Sequence, residues 1–398
     1  MQYQETLLQN RPSLSDRIAS ANNFLNNYRP EISLSPAGSA PVSIPVITIP
    51  VVVHVLYNEA SQNISDEQVL SQIDVLNKAF NLQHADTGRI PSYFKELAAN
   101  CRIQFCLAKV DPKGHATNGI VRKSTWVSMY GFDDRIKFSD KGGDDAWDAD
   151  RYFNIWVGNL AGGMVGYSSP VGAPKETDGI AVKPTAFGTK GTASAPYNLG
   201  KTVVHETGHW LGLRHIWGDA TCGDDLVDDT PRQKTSNRGC PSGIKPGCDN
   251  TPYGENYQNY MDLTSDECML MFTVGQMNRM RSSFAVGGPH YKILSSNGCT
   301  GTPLPGEAQV PRAEDKPVVK LIGIYPNPVQ NNLVIDIMEN SDLIGADVQV
   351  LNQMGQPVKA FRIMQTKTTV NVAQFTGGMY IVRINGVGKK YQEKFLKL

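Results

Sequence analysis

The sequence predicts two folded units of different class: an α/β domain built on a twisted sheet with one functional helix, then a small all-β, Ig-like sandwich. Three observations predict this. Between residues 47 and 211, strand-like apolar runs alternate with runs at helical spacing. At 301–317 a stretch rich in proline and charge interrupts the chain. Beyond it, short alternating segments recur about every 8–12 residues, the spacing of a sandwich. The 398 residues suffice for more than one core. The expected division is an N-terminal arm or pro-segment at 1–45, a main domain at 46–300, a linker at 301–317 and a sandwich at 318–398.

In chain order, residues 15–27 place Ile18, Ala21 and Leu25 on one face of a short helix. The polar and proline-rich surroundings suit a pro-segment or arm, and a disordered end fits the composition as well. Residues 47–57 alternate as a strand through Ile49, Val51, Val53 and Val55. Residues 66–80 carry Val69, Leu70, Ile73, Leu76 and Phe80 at helical spacing. Strands follow at 103–110, 151–157 and 178–182, and a helix at 199–211. In the last unit, strands are expected at 333–338, 346–351, 358–363, 368–372, 379–384 and 389–396. Asn340-Ser341-Asp342, Asn352-Gln353-Met354-Gly355 and Asn385-Gly386 mark turns between them.

Lys plus Arg and Asp plus Glu both number 38, so net charge gives no reason to expect nucleic acid or an anionic membrane as partner. No apolar run reaches about 18 residues, so no transmembrane helix is expected. Four of the seven cysteines (Cys222, Cys240, Cys248 and Cys268) crowd a region rich in Gly, Pro and Asp, which suits loop-stapling disulfides in an oxidising compartment. Cys101 and Cys106 lie on one strand pointing to opposite faces, so they should not pair with each other. The odd count leaves at least one thiol unpaired within the chain. The polar start lacks the basic and apolar regions of a signal peptide, which conflicts with the disulfides and implies an export signal missing from this sequence.

His205-Glu206-Thr207-Gly208-His209-Trp210-Leu211-Gly212-Leu213-Arg214-His215 carries the chemistry. On a helix, His205 and His209 stand four residues apart and project from one face toward one ion. Gly212 lets the helix stop and the chain turn, and His215 returns as the third ligand. Three imidazoles leave zinc an open position for water, the catalytic arrangement, and Glu206 beside them can act as general base. HExxH alone arises by accident in helical proteins; Gly212 and His215 make the zinc reading the better one. Farther on, Met261 in Asn259-Tyr260-Met261-Asp262 can form an apolar floor under the imidazoles. His54, His84, His115 and His290 read as core or surface residues.

The long histidine motif followed by this Met-turn resembles the metzincins. The stretch Val204 to Trp217, with Asp224 to Pro231 and Asn259 to Gln276, resembles the pappalysin family within them, over about residues 46–300. The resemblance implies a metzincin-type secreted zinc endopeptidase, made as a zymogen, with its cleft between an upper sheet and a lower loop-rich part. It implies structural calcium, for which Asp225, Asp228, Asp229 and Thr230 are the matching acidic loop; closely spaced oxygens suit that ion, though a solvated acidic turn would look the same. It implies disulfides Cys222–Cys248 and Cys240–Cys268. An acidic residue of the stretch holding Asp266 and Glu267 lines the relatives' pocket for the side chain after the scissile bond, which implies cleavage before Arg or Lys, with Glu267 the expected partner. Relatives carry a tyrosine two residues after the Met, where this chain has Leu263; Tyr260 or Tyr257 substitutes, or no side chain does.

Ile324-Tyr325-Pro326-Asn327-Pro328 with Gly377-Gly378-Met379-Tyr380 resembles the sorting domain of type IX secretion cargo in Bacteroidetes. That implies export across the outer membrane with the type IX machinery as partner, and usually removal of the domain; the protease resemblance implies protein and peptide substrates. The competing reading of this domain is a generic adhesion module. For the whole chain it is a metzincin-shaped adhesin or binder without turnover.

Overall fold

The computed structural model describes residues 14–28, 44–301, 322–337, 343–353, 355–386 and 389–398. The chain forms two compact units, Met1–Ala308 and Gln309–Leu398. The expected linker at 301–317 lies, but for Gly301, outside the described residues, as do the turn Asn340-Ser341-Asp342 and Met354.

The first unit is organised by strand β1 (Ile47–Tyr57). Its partners are β2 (Ile103–Leu107), β3 (Ile120–Ser124), β4 (Phe153–Val157), β5 (Gly166–Ser168) and β6 (Ile180–Val182). The sheet runs β2-β1-β4-β6-β5, and β3 pairs with β1 beyond the end of β2. Every pairing is parallel except that of β5 with β6. The expected strand at 47–57 is present. Both its faces are covered, so Val52, His54 and Leu56 are as buried as Val51, Val53 and Val55. Pro50 is tolerated in this central strand for a local reason. Val51 faces β2, its carbonyl accepting from the Ala108 amide, so Pro50 faces the β4 side, where pairing begins only at Val51.

Helix α1 (Ser15–Asn27) docks on this unit, with Ile18 buried against Tyr130, Trp156 and Tyr167. Helix α2 (Asp66–Phe80) starts where the Ser65 hydroxyl accepts from the Gln68 amide, and packs Val69, Ile73, Leu76 and Phe80 on the sheet. Two buried glutamines of α2 fix the chain leading to the active-site helix. Gln68 donates to the Pro184 and Phe187 carbonyls (3.0 and 2.9 Å), and Gln72 donates to the Gly200 carbonyl (3.0 Å). Helix α3 (Lys201–Trp210) then packs against β5, and α4 (Val274–Ser282) follows the Met-turn. Helix α4 opens with a capping box between Thr273 and Gln276.

Three disulfides close the unit: Cys222–Cys248, Cys240–Cys268 and Cys106–Cys299. The third, open at the sequence level, clips β2 to the end of the unit. Cys101 is the free thiol, buried, its pKa pushed up to about 12 by desolvation.

The second unit is all β. Strands β9 (Asp347–Leu351), β10 (Pro357–Arg362), β12 (Gly378–Gly386) and β13 (Lys389–Lys397) form a sheet ordered β10-β9-β12-β13. Strands β7 (Gly323–Tyr325), β8 (Asn332–Asp336) and β11 (Lys367–Asn371) form the other. Leu333, Ile335, Val348, Val350, Val382 and Phe395 meet in one core.

Candidate active site

Helix α3 begins after Gly200, held in the left-handed region at φ 70°, and ends before Gly212 at φ 91°. Between them His205 and His209 leave the same face, and the turn at Gly212 brings His215 back to them. Ring centroids are 4.6 Å apart for His205–His209, 5.3 Å for His205–His215 and 4.5 Å for His209–His215. One ligand atom from each lies within 4.8 Å of the others.

The second nitrogen of each ring decides what the trio can hold. His205 Nδ1 donates to the Tyr260 carbonyl (2.7 Å), His209 Nδ1 to the Leu213 carbonyl (2.9 Å) and His215 Nδ1 to Asp219 Oδ1 (2.5 Å). A carbonyl or carboxylate oxygen only accepts, so each Nδ1 carries a proton and Nε2 is the nitrogen left to meet a metal. His205 and His209 Nε2 face each other at 3.0 Å, two acceptors with no proton between them. Burial, with His215 nearby, lowers His205 to about 3 and His209 well below its ordinary value, so both stay neutral. Burial also opposes ionisation of Asp219, but its bond to His215 outweighs this and holds the carboxyl below its ordinary value. Three converging imidazoles, each held through its Nδ1, fit zinc.

The Met-turn lies against this trio. Met261 is fully buried, its amide bonded to Asn259 Oδ1 (2.9 Å), while Tyr260 supplies the carbonyl for His205. A Cβ at Gly208 would come within 2.5 Å of Met261 Sδ, so Gly208 is what lets the methionine lie beneath α3. Asn259 and Gln276 exchange two side-chain bonds (2.8 and 3.0 Å), fastening the turn to α4.

Glu206 faces β5, where a Cβ at Gly166 would stand 3.1 Å from its Oε1. No hydrogen bond or ion pair engages its carboxylate among the described residues, and burial raises it to about 8. The trio and Glu206 open onto a cleft of about 770 Å³.

The other expected site residues are placed unequally. Asp225 is buried and accepts from the Thr230 hydroxyl (2.9 Å). Asp229 accepts from the Thr273 hydroxyl (2.6 Å) and Gly275 amide (2.7 Å), serving the start of α4, and Asp228 is exposed. Among the described residues these carboxylates form no close cluster of three. Asp266, 1 % exposed, lines the cleft, whereas Glu267 is exposed and does not. Of the two, Asp266 and not the expected Glu267 stands at the cleft, the one-turn helix Asp266–Cys268 placing adjacent acids on different sides. Tyr260 is buried between Phe272 and His84, and the Tyr257 hydroxyl donates to the Gly243 carbonyl (2.6 Å). Leu263 lines the cleft, and neither of these tyrosines does. Reasoning from sequence overlooked Asp219, four residues past His215, and Gly208, whose neighbour is remote in the chain.

Residues 138–285 match the peptidase family described as pregnancy-associated plasma protein-A, the pappalysins, and 323–397 match the secretion system C-terminal sorting domain. An extracellular metalloprotease of Pyricularia oryzae is 42% identical over 144 residues, 35% of this chain and 48% of that relative. So this chain's match spans about half of that protein's length. One of Arthroderma benhamiae is 32% identical over 264 residues, 63% of this chain and 83% of the relative. Mature mirolysin of Tannerella forsythia, solved with a cleaved peptide, superposes with TM-score 0.62 at 46% identity, covering 63% of this chain and 97% of that one. A promirolysin variant of the same organism gives 0.66 at 43%, covering 73% and 94%. The fold, the zinc-fitting trio and these matches agree: the chain belongs to the pappalysin family of secreted zinc metalloproteases and carries a C-terminal type IX sorting domain.

Proposed function

We propose that this chain is an endopeptidase in which Glu206 is the general base, cutting before Arg and less efficiently before Lys. The observation that carries it is the convergence of three histidine ligand atoms beside a buried carboxylate that has no hydrogen bond or ion pair among the described residues. Zinc, when bound by His205, His209 and His215, supplies a Lewis acid that polarises the scissile carbonyl and acidifies water. Glu206 takes the proton of the attacking water and passes it to the leaving amine. Among the described residues strand β5 pairs with β6 on one edge and with no strand on the other, which suits an extended substrate aligned there. Asp266 pairs with the substrate's basic side chain, since its Oδ1 is buried and has no hydrogen-bond partner. The test is casein digestion by the full chain. It should stop on chelation, return with zinc and be absent in Glu206→Ala; digestion indifferent to all three leaves the non-catalytic binder as the reading.

Residues 1–45 act as a pro-segment in this proposal, residues 46–300 as the catalytic domain, 301–317 as a linker and 318–398 as an Ig-like sorting module read by the type IX machinery. Support for the first comes from α1. Leu25 sits where a Cβ on Gly212 would be, and Asn22 lines the cleft. Arg279 bonds to Asn26 Oδ1 (2.5 Å) and Asn22 Oδ1 (3.4 Å) while holding the Gly212 carbonyl (2.7 Å). N-terminal sequencing of the active species is expected to begin after α1; full activity with α1 retained would contradict this.

The loop Asp225 to Thr230 is proposed to bind calcium. Burial pushes the Asp225 carboxyl up to about 7, a cost that a bound dication would offset. Saturating calcium at fixed zinc is expected to raise the Tm of the catalytic unit by about 5–10 °C. A Tm that does not respond removes the proposal.

A further inference from the structure

We propose that Arg238 is a specificity residue that binds a substrate carboxylate on the leaving-group side of the scissile bond. The inference rests on the reading of Asp266 as the pocket for the residue just after that bond. Arg238 is exposed and lines the same cleft as the histidine trio and Asp266. Among the described residues no hydrogen bond or ion pair engages its guanidinium.

The backbone on either side of Arg238 is anchored to the wall that carries Asp266. Before it, the Asn237 amide donates to Asp262 Oδ1 (2.7 Å), and Asn237 Nδ2 donates to Asp262 Oδ2 (2.8 Å) and Glu255 Oε2 (3.1 Å). After it, the Gly239 carbonyl accepts from the Ser265 amide (2.8 Å), and Cys240 is bonded to Cys268. Asp262 and Ser265 bracket Leu263 and Thr264, both of which line the cleft. Arg238 thus stands on a fixed rim beside the Asp266 wall, with its five donors uncommitted.

Asp266 does not occupy it. One Asp266 oxygen accepts from the Leu199 amide (2.8 Å) and the Lys201 amide (3.1 Å), and the other has no partner. The wall therefore presents a buried anion and, apart from it, an exposed cation. A peptide with a basic residue directly after the cleaved bond and a carboxylate beyond it complements both. A guanidinium takes a carboxylate bidentately, and a pre-positioned backbone lowers the ordering cost. The carboxylate can be an Asp or Glu side chain or the free end of a short peptide; the chemistry is the same.

The test uses the active zinc-loaded enzyme and peptides that keep Arg after the scissile bond. The next residue is Glu, Gln or Lys, and in a second set the peptide ends there as acid or amide. Wild type is expected to favour Glu over Gln by roughly fivefold in kcat/KM at low salt, the range of a rim charge pair. Arg238→Gln should erase that ratio and Arg238→Glu should favour Lys. A response confined to one peptide set identifies side chain or chain end as the source. Equal ratios in wild type and Arg238→Gln overturn the proposal, as does an equal loss in Arg214→Gln, which would indicate a general field from the cleft. Failure of the Asp266 reading shows separately, as lost preference for Arg over Leu immediately after the bond.

Discussion

Glu206→Ala is expected to lower kcat by about 10³–10⁴ with zinc content and Tm near wild type. The carboxylate is the only acidic group between two ligands on α3, and it faces β5 and the cleft with no hydrogen bond to the rest of the protein among the described residues. Removing it therefore breaks no hydrogen bond or ion pair among the described residues. The three imidazoles keep their own supports, since His205, His209 and His215 are oriented by Tyr260, Leu213 and Asp219. The two roles separate cleanly in measurement. Metal analysis with peptide kinetics should show a loaded but nearly inactive protein. Near-wild-type turnover would remove Glu206 from the chemistry, and loss of zinc along with activity would assign it to holding the site together.

Much of the fold was legible because its periodicities are long or sharply punctuated. The expected spans of α1, β1 and α2 coincide with the observed ones, and six strands of the last unit fall within two residues of expectation. Strands β3, β5 and β7 were missed. Ile120-Val121-Arg122-Lys123-Ser124 does not alternate, since it pairs on one side only and is partly exposed, and β5 is three residues long. Helix α4 was missed because its apolar face is thin and Gly275 lies in its first turn; its start depends on Asp229, 44 residues before Thr273. At the site, the ligands were legible because metal binding on a helix demands spacing of four. Their supports were less so, for two of three are main-chain carbonyls, which leave no trace in residue type.

Asp266 and Glu267 show the same limit in a form that can be measured. Both are acids before Cys268, and only the turn from Asp266 to Cys268 decides which one reaches the cleft. Asp266→Asn is expected to lower the kcat/KM preference for Arg over Leu after the scissile bond by about 10²-fold, the range lost when a desolvated charge pair loses one charge. The substitution separates charge from structure. The amide oxygen of Asn can still accept from the Leu199 and Lys201 amides, so the start of α3 keeps its support, while the partnerless Oδ1 becomes an NH₂ facing the substrate's cation. Glu267→Gln, on the exposed side, should leave the preference within about twofold. The wild-type preference should also depend on pH. Burial raises the Asp266 carboxyl to about 6, so below that value it is increasingly neutral and selection for Arg fades, whereas above it the charge and the selection are both present. Taking the ratio of Arg to Leu peptides cancels the titration of Glu206, which affects both equally. A ratio that is flat across pH 5–8, or unchanged in Asp266→Asn, would show that this wall does not select the basic side chain.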